Sequence, residues 1–369
     1  MNRRNLLLST GAVALTARAR ALAADGDGIS KEAHELYERA IVFDANLSPD
    51  VNDTFPFPAA MIEEARNAGV TAMKTSLGGT DEKFEDTLTE IAFFQRIVEY
   101  YPDVFTQIRQ VSDFARAKRE KKVGVLLSFE STDMFEGRVE RIELFRNFGV
   151  RVMQLSYNKI SPWASGVMAS PPTGLTDLGR KAVEAMNANG VAIDISHASE
   201  PTSKDVLAAS KPPVIITHAG CAAIHPHPRN KPDWLLKAVA DKGGAVGIFD
   251  LPYLTASPKQ PALDDYMAHM THALSVCGED HVGIGSDSQL GPFDLSPAGM
   301  EAFRKETERR QKTGVAAPEE DRPMYVIGLN TPRRSEVIAD ALLKRGYSAR
   351  VAEKVLGSNF VDALGRIWG

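Results

Sequence analysis

A closed (β/α)8 barrel, the TIM-barrel architecture of the α/β class, is the fold this sequence predicts, and three observations predict it. Eight short runs rich in Val, Ile and Leu recur along the chain, each followed by a longer stretch of helical period. Continuous apolar runs of this length mark parallel strands covered on both faces. The 369 residues carry 43% hydrophobic and 25% charged side chains with no break in composition, so one barrel with added loops accounts for the length. Runs three, five, six and eight end in a histidine or a carboxylate, at positions that a parallel barrel gathers at one mouth.

Taken in order, the runs cover residues 41–46, 70–76, 123–130, 150–157, 191–197, 214–218, 245–250 and 281–287. The segments between them carry apolar residues three apart, as in Val139, Ile142 and Phe145 or Val183 and Met186, which is the spacing of a helix face laid on a sheet. Gly149, Gly190 and Gly243 stand where a left-handed cap would end three of these helices. Two connections are long. Residues 77–122 have room for two helices, around 84–100 and 111–121, and the polar, proline-containing stretch 291–330 reads as a loop with one helix near 300–312. Helical patterns at 333–345 and 349–356 follow the barrel.

Residues 1–23 stand apart. The Arg3-Arg4 pair, the apolar stretch from Leu6 and the Ala21-Leu22-Ala23 ending predict an export signal of twin-arginine type, cleaved before Ala24. Residues 24–369 are then a single barrel domain with C-terminal helices, expected in the periplasm or outside the cell. The apolar part of the signal is well short of the roughly 20 residues that span a bilayer. No later segment reads as a membrane span. Losing residues 1–23 removes four arginines and no acid, so the remainder is more acidic than the −5 of the whole chain. Such a balance gives no electrostatic reason for a nucleic-acid partner. Cys221 and Cys277 make no disulfide scaffold, although export permits a bond between them.

The polar run ends carry the chemistry. Runs three, five, six and eight end in Glu130, His197, His218 and Asp287. Two imidazoles and a carboxylate form a donor set that suits zinc, and three protein ligands leave a position open, as a hydrolytic zinc site requires. Asp287, not needed as a ligand, is placed to carry a proton. One strand-end histidine alone is more often a hydrogen-bonded structural residue; four polar run ends together favour a site. His225 and His227 flank Pro226 in a stiffened turn, and His34, His269, His272 and His281 fall in helical or strand-entry positions, so these six are read as structural. Cys221, three residues after His218, is read as a small buried apolar residue rather than a soft ligand.

From Gly124 onward the chain also carries an ordered series of motifs: Ser128-Phe129-Glu130, Ser156-Tyr157-Asn158, Pro162-Trp163-Ala164, Gly174-Leu175-Thr176-Asp177 and Asp194-Ile195-Ser196-His197. Thr217-His218, His227-Pro228-Arg229-Asn230, Gly283-Ile284-Gly285-Ser286-Asp287 and Gly357-Ser358-Asn359-Phe360 continue it. In these motifs the chain resembles the membrane dipeptidase family of zinc-dependent peptidases. The resemblance implies an amidohydrolase-like barrel with two zinc ions, Glu130 bridging them and His197 and His218 on the second. It implies further that Arg229 holds the substrate's terminal carboxylate, that Asp287 is the catalytic acid and base, and that the protein forms a homodimer. A guanidinium fork matches a carboxylate bidentately, which suits Arg229 to that role.

The departures from the family pattern lie at the same mouth. The family's first strand ends in Asp-Gly-His-x-Asp, whose His and last Asp bind the first zinc; here the stretch reads Asp44-Ala45-Asn46-Leu47-Ser48. Tyr157 replaces a substrate-facing histidine, and an unperturbed phenol, titrating near pH 10, is no cation at neutral pH. Phe249-Asp250-Leu251 replaces an Asn-Phe-Tyr run. The expected protein is therefore an exported hydrolase with one zinc ion per chain on Glu130, His197 and His218. Arg229 and Tyr157 face a small, dipeptide-like substrate, and Asp287 moves protons. The alternative is a metal-binding barrel of the same kind that has lost peptidase activity and binds a ligand or carries another reaction. Asp44 and Asp50 are the nearest carboxylates for a substitute first-site ligand, and the sequence leaves that open.

Overall fold

Eight parallel strands form the ring that the apolar runs predict: β1 (Phe43–Asp44), β2 (Ala72–Leu77), β3 (Val123–Phe129), β4 (Val150–Met153), β5 (Ala192–Ile193), β6 (Ile216–Cys221), β7 (Val246–Ile248) and β8 (Val282–Ile284). The structure is a computed structural model that describes residues 28–49 and 55–369, so the expected export signal at 1–23 and Asp50 lie outside the described residues. Neighbouring strands pair in parallel from β5 through β4, β3, β2 and β1 to β8, β7 and β6. A parallel bridge between Asp194 and Ile215 makes the remaining junction: Ile215 N donates to Ile193 O at 3.0 Å and Ile195 N to Ile215 O at 2.9 Å. The sheet thus returns on itself.

The helices outside the ring are α1 (Lys31–Arg39), α2 (Ala59–Asn67), α3 (Phe84–Tyr100), α4 (Ser112–Glu120), α5 (Arg141–Asn147), α6 (Asp177–Ala188), α7 (Glu200–Ala209), α8 (Asp233–Asp241), α9 (Leu263–Cys277), α10 (Pro297–Lys312), α11 (Arg334–Lys344), α12 (Ala349–Glu353) and α13 (Asn359–Trp368). Gly149, Gly190 and Gly243 have φ of 103°, 58° and 82°, the conformation expected of them. Residues 77–122 hold α3 and α4 as expected, together with an unexpected strand, Phe105–Gln107, on the first half of β3. Ser296 starts α10 earlier than the pattern suggested, its Oγ accepting from Gly299 N at 3.1 Å with Pro297 in the first turn. Cys221 and Cys277 are separate buried thiols. Among the described residues no helix is long and apolar enough to cross a membrane.

Several strands end sooner than their apolar runs, for an identifiable reason. Asp44 Oδ1 accepts from Asn46 N at 3.0 Å and Asp194 Oδ1 from Ser196 N at 2.9 Å, so at β1 and β5 an aspartate turns the chain two residues on. β6, in contrast, continues past His218 to Cys221. Glu130 directly follows β3, His218 lies inside its strand, and His197 and Asp287 stand on the turns beyond β5 and β8.

Side chains alternate across each strand. In β3, Val123, Val125, Leu127 and Phe129 join the core shared with the helices, whereas Leu126 joins the core inside the ring and Ser128 follows it toward the mouth. β2 repeats this, with Met73 and Leu77 outward and Ala72 inward, followed by Lys74 and Ser76. The other end of the ring is sealed by α13. Phe360 meets Phe43 edge-on at 6.0 Å, Phe43 meets Phe114 at 5.0 Å, and Trp368 stacks over Phe114 at 6.4 Å.

Candidate metal centre and substrate pocket

The ring brings Glu130, His197 and His218 together: one ligand atom from each lies within 4.8 Å of the others, and all three residues are buried. His197 Nε2 and His218 Nε2 are 3.0 Å apart, with Glu130 Oε2 3.7 Å from the former. Gly285 lets β8 approach β6 closely here, since a Cβ on it would stand 1.8 Å from Thr217 O.

The surroundings assign the tautomers. Asn158 Nδ2 donates to Val315 O at 2.9 Å, so its Oδ1 accepts from His197 Nδ1 at 2.8 Å and leaves a lone pair on Nε2. Thr217 Oγ1 donates to Asp194 Oδ2 at 2.5 Å and can therefore accept from His218 Nδ1 at 2.9 Å. Asn46 Nδ2 also lies 3.0 Å from that nitrogen, but its two hydrogens have carboxylates to bind: Glu130 Oε1 at 3.0 Å and Asp287 Oδ1 at 2.8 Å. Both Nε2 atoms and Glu130 Oε2 are therefore directed at one point as metal donors. The separation of the two Nε2 atoms is under twice a zinc–imidazole bond of about 2.1 Å. The donor set fits one divalent ion, with Asn158 and Thr217 orienting the imidazoles from behind.

The strand-1 side of Glu130 is built differently. Asn46 spans Glu130 and Asp287, and Ser76 Oγ donates to Glu130 Oε1 at 2.9 Å. Ser48 Oγ bonds Thr75 Oγ1 at 3.1 Å instead of facing the cluster. Asp44 supplies no substitute ligand, because its carboxylate accepts from Asn46 N, Ser286 N and Ser286 Oγ and anchors the turn after β8. Asp250 is likewise directed away from the centre, toward Arg334 at 3.3 Å, and burial raises its pKa to about 7.

Above the cluster opens a cavity of about 270 Å³ walled by Asn46, Ser76, Tyr157, Arg229 and Asp287 on its polar side and by Phe94, Phe293, Phe303 and Met324 on its apolar side. Asp287 has φ 57°, an unusual backbone for a non-glycine residue at a functional position, and its Oδ2 lies 3.9 Å from His218 Nε2. Tyr157 stacks on His197 with ring centres 4.1 Å apart. Arg229 is 2% exposed, and its Nε and Nη2 have no hydrogen-bond partner among the described residues. Two adjacent guanidinium donors on a pocket wall are the fork that a carboxylate fits. His227 positions this arginine: its Nε2 donates to Pro318 O at 2.8 Å while Nδ1 accepts from Arg229 N at 3.1 Å. Burial lowers its pKa to about 4, so it stays neutral and keeps that tautomer.

The remaining histidines are structural contacts: His34 on Glu336, His225 on Glu319, His272 on Asp233, His269 on Leu254 O and His281 on Gly244 O. Sequence reasoning missed three residues near the centre: Lys74, Ser76 and Lys231. The available signal for the first two was the alternation 72, 74, 76, which puts a lysine and a serine on the inward face of an apolar run.

Lys231, next but one to Arg229, is fully enclosed and donates to Ala198 O at 3.0 Å. Burial, reinforced by Arg229, lowers its pKa from 10.5 to about 7. Between these values the unfolded chain holds a proton that the folded chain has released, so this group makes stability rise with pH across that window and costs most below it. Lys231→Met should be more stable than the parent at pH 7, with the advantage shrinking by about 1.4 kcal/mol per pH unit toward pH 10. Chemical denaturation at pH 7, 8 and 9 measures this, and a constant difference would contradict it.

A parallel barrel with a Glu-His-His cluster at the mouth formed by its strand ends is the arrangement of a metal-dependent hydrolase. The chain matches the membrane dipeptidase family, peptidase family M19, over residues 33–307. It belongs to that family. It is 29% identical over 282 residues to dipeptidase tcpJ of Claviceps purpurea (strain 20.1), covering 76% of this chain and 59% of that protein, so the chain spans less than two thirds of that relative's length. Among solved structures, an amidohydrolase from Pseudomonas aeruginosa is similar with a TM-score of 0.80 at 29% identity, covering 91% of this chain and 99% of that one. The same fold, with a TM-score of 0.73 at 17% identity, is found in a metallopeptidase from Rhodobacter sphaeroides liganded with a phosphinate mimic of the dipeptide L-Ala-D-Ala, over 89% of this chain and 100% of that one.

Proposed function

We propose that this protein is an exported zinc-dependent dipeptidase that holds one metal ion per chain, on Glu130, His197 and His218, and cleaves the amide bond of a small substrate ending in a carboxylate. The observation that carries the reading is the convergence of Glu130, His197 and His218, with the two Nε2 atoms 3.0 Å apart, beneath the pocket wall that contains Arg229. Membership of the dipeptidase family supports an amide substrate, and the dipeptide mimic bound by the Rhodobacter sphaeroides relative indicates its size. The metal would supply Lewis acidity at this point, polarising an amide carbonyl and acidifying water.

The chain's own residues supply the rest. Arg229 takes the terminal carboxylate on its Nε–Nη2 edge and fixes the substrate's position against the cluster. Tyr157, stacked on His197, forms the adjoining wall. Asn46 holds Asp287 Oδ1 and thereby turns Oδ2 toward the imidazole pair. That oxygen takes a proton from the attacking water and returns it to the departing amine.

Elemental analysis of protein purified without added zinc, combined with hydrolysis of a panel of L,L and L,D dipeptides, tests the reading. About one equivalent of metal and turnover that a chelator abolishes are expected. Two equivalents would overturn the single-ion assignment. Complete inactivity across the panel with metal bound would favour the binding-protein alternative.

A further inference from the structure

Lys74 is a lysine inside a barrel. It lies in β2, it is 1% exposed, and the alternation of the strand directs it into the ring below the cluster. Its Nζ donates to Ser76 Oγ and to Ser128 Oγ, both at 3.0 Å. The register of β2 on β3 sets Ser76 beside Ser128, so one ammonium is held by two hydroxyls from adjacent strands. Ser76 in turn donates to Glu130 Oε1 at 2.9 Å and reaches Asn46 Oδ1 at 3.3 Å.

Glu130 therefore has two chemically different faces. Oε2 is turned toward the imidazoles, 3.7 Å from His197 Nε2. Oε1 accepts from Ser76 and from the Asn46 amide, which also binds Asp287. A buried ammonium is expensive unless negative charge lies near it. Here one hydroxyl separates it from the Glu130 carboxylate.

We infer that Lys74, acting through Ser76, is the positioning residue that limits the centre to a single ion: its charge and the Asn46 amide together occupy the strand-1 side of Glu130. The inference rests on the one-ion reading above. Lys74 holds Glu130 with Oε1 engaged and Oε2 presented to the histidines, and its positive charge repels a second cation from the space between Glu130, Asp287 and residue 46. Asn46 serves as donor where a carboxylate at the same position would invite a cation.

The test compares the parent with Lys74→Met, Lys74→Arg, Asn46→Asp and the double variant Asn46→Asp/Lys74→Met. Each is loaded with Mn2+, dialysed, and read by metal content and by electron paramagnetic resonance, which distinguishes an isolated ion from an exchange-coupled pair. One isolated ion is expected in the parent and in Asn46→Asp, and a coupled pair in the double variant, where three carboxylates face one another with no ammonium behind them. Lys74→Met alone should bind its one ion about tenfold more tightly, because a like charge has been removed, whereas Lys74→Arg should stay within about twofold of the parent. A parent holding two ions or none overturns the one-ion reading itself. A one-ion parent overturns the inference alone if the folded double variant still holds one ion, or if Asn46→Asp already holds two. Should the double variant not fold, unchanged or weaker binding by Lys74→Met overturns it.

Discussion

Replacing Asp287 by asparagine should lower kcat for dipeptide hydrolysis by about a thousandfold while leaving the metal content unchanged. The magnitude is that of losing a positioned general acid–base. The invariance follows from geometry, since the proposed ligands are Glu130, His197 and His218, and Asp287 Oδ2 stands 3.9 Å from His218 Nε2. Asparagine suits this test because residue 287 has φ 57°, a conformation asparagine tolerates far better than alanine does. Steady-state kinetics beside elemental analysis of the same preparation decide it. If activity persists within about tenfold of the parent, the proton is carried by another group; if metal is lost, Asp287 is a ligand.

The second large effect is at Arg229. Arg229→Gln should reduce kcat/KM on a dipeptide by roughly two to three orders of magnitude, the range found when one partner of a buried, hydrogen-bonded charge pair is truncated. The diagnostic comparison uses the same dipeptide as its C-terminal amide. The parent should process the amide poorly, and the variant should process it no worse than the parent does, because the fork then has no carboxylate to bind. Equal losses on both substrates would mean that Arg229 supports the pocket wall instead of reading the substrate's end. His227 makes that alternative testable, since it holds the arginine's backbone and not its guanidinium.

The barrel was legible because each of its strands is a short apolar run, and burial on both faces leaves little freedom to read such runs otherwise. What sequence could not supply was where each strand stops. Asp44 and Asp194 look like the tails of apolar runs, yet each captures the amide two residues on and ends the ladder there. That Glu130 and His218 would meet was legible because parallel strands place polar run ends at one mouth. Asn46 was legible only as a missing ligand. Its role as a donor to two carboxylates depends on β1, β3 and β8 meeting in space, which no local pattern encodes. The polar segment 291–330 was read as a loop with a helix, whereas α10 brings Phe303 to the wall of the cavity and places Arg310 against Glu320. Contacts of that kind arise from tertiary packing, and periodicity along one segment does not reveal them.

The seal formed by α13 bears on the order in which the molecule can be made. Phe43, near the start of the ring, packs against Phe360, near the end of the chain, and Trp368 lies over Phe114. Ribosomal synthesis delivers Phe43 and Phe114 well before Phe360 and Trp368, so the floor of the barrel stays open until α13 has emerged. Closure of the ring must therefore wait for α13, with the strands already made exposing apolar surface in the meantime.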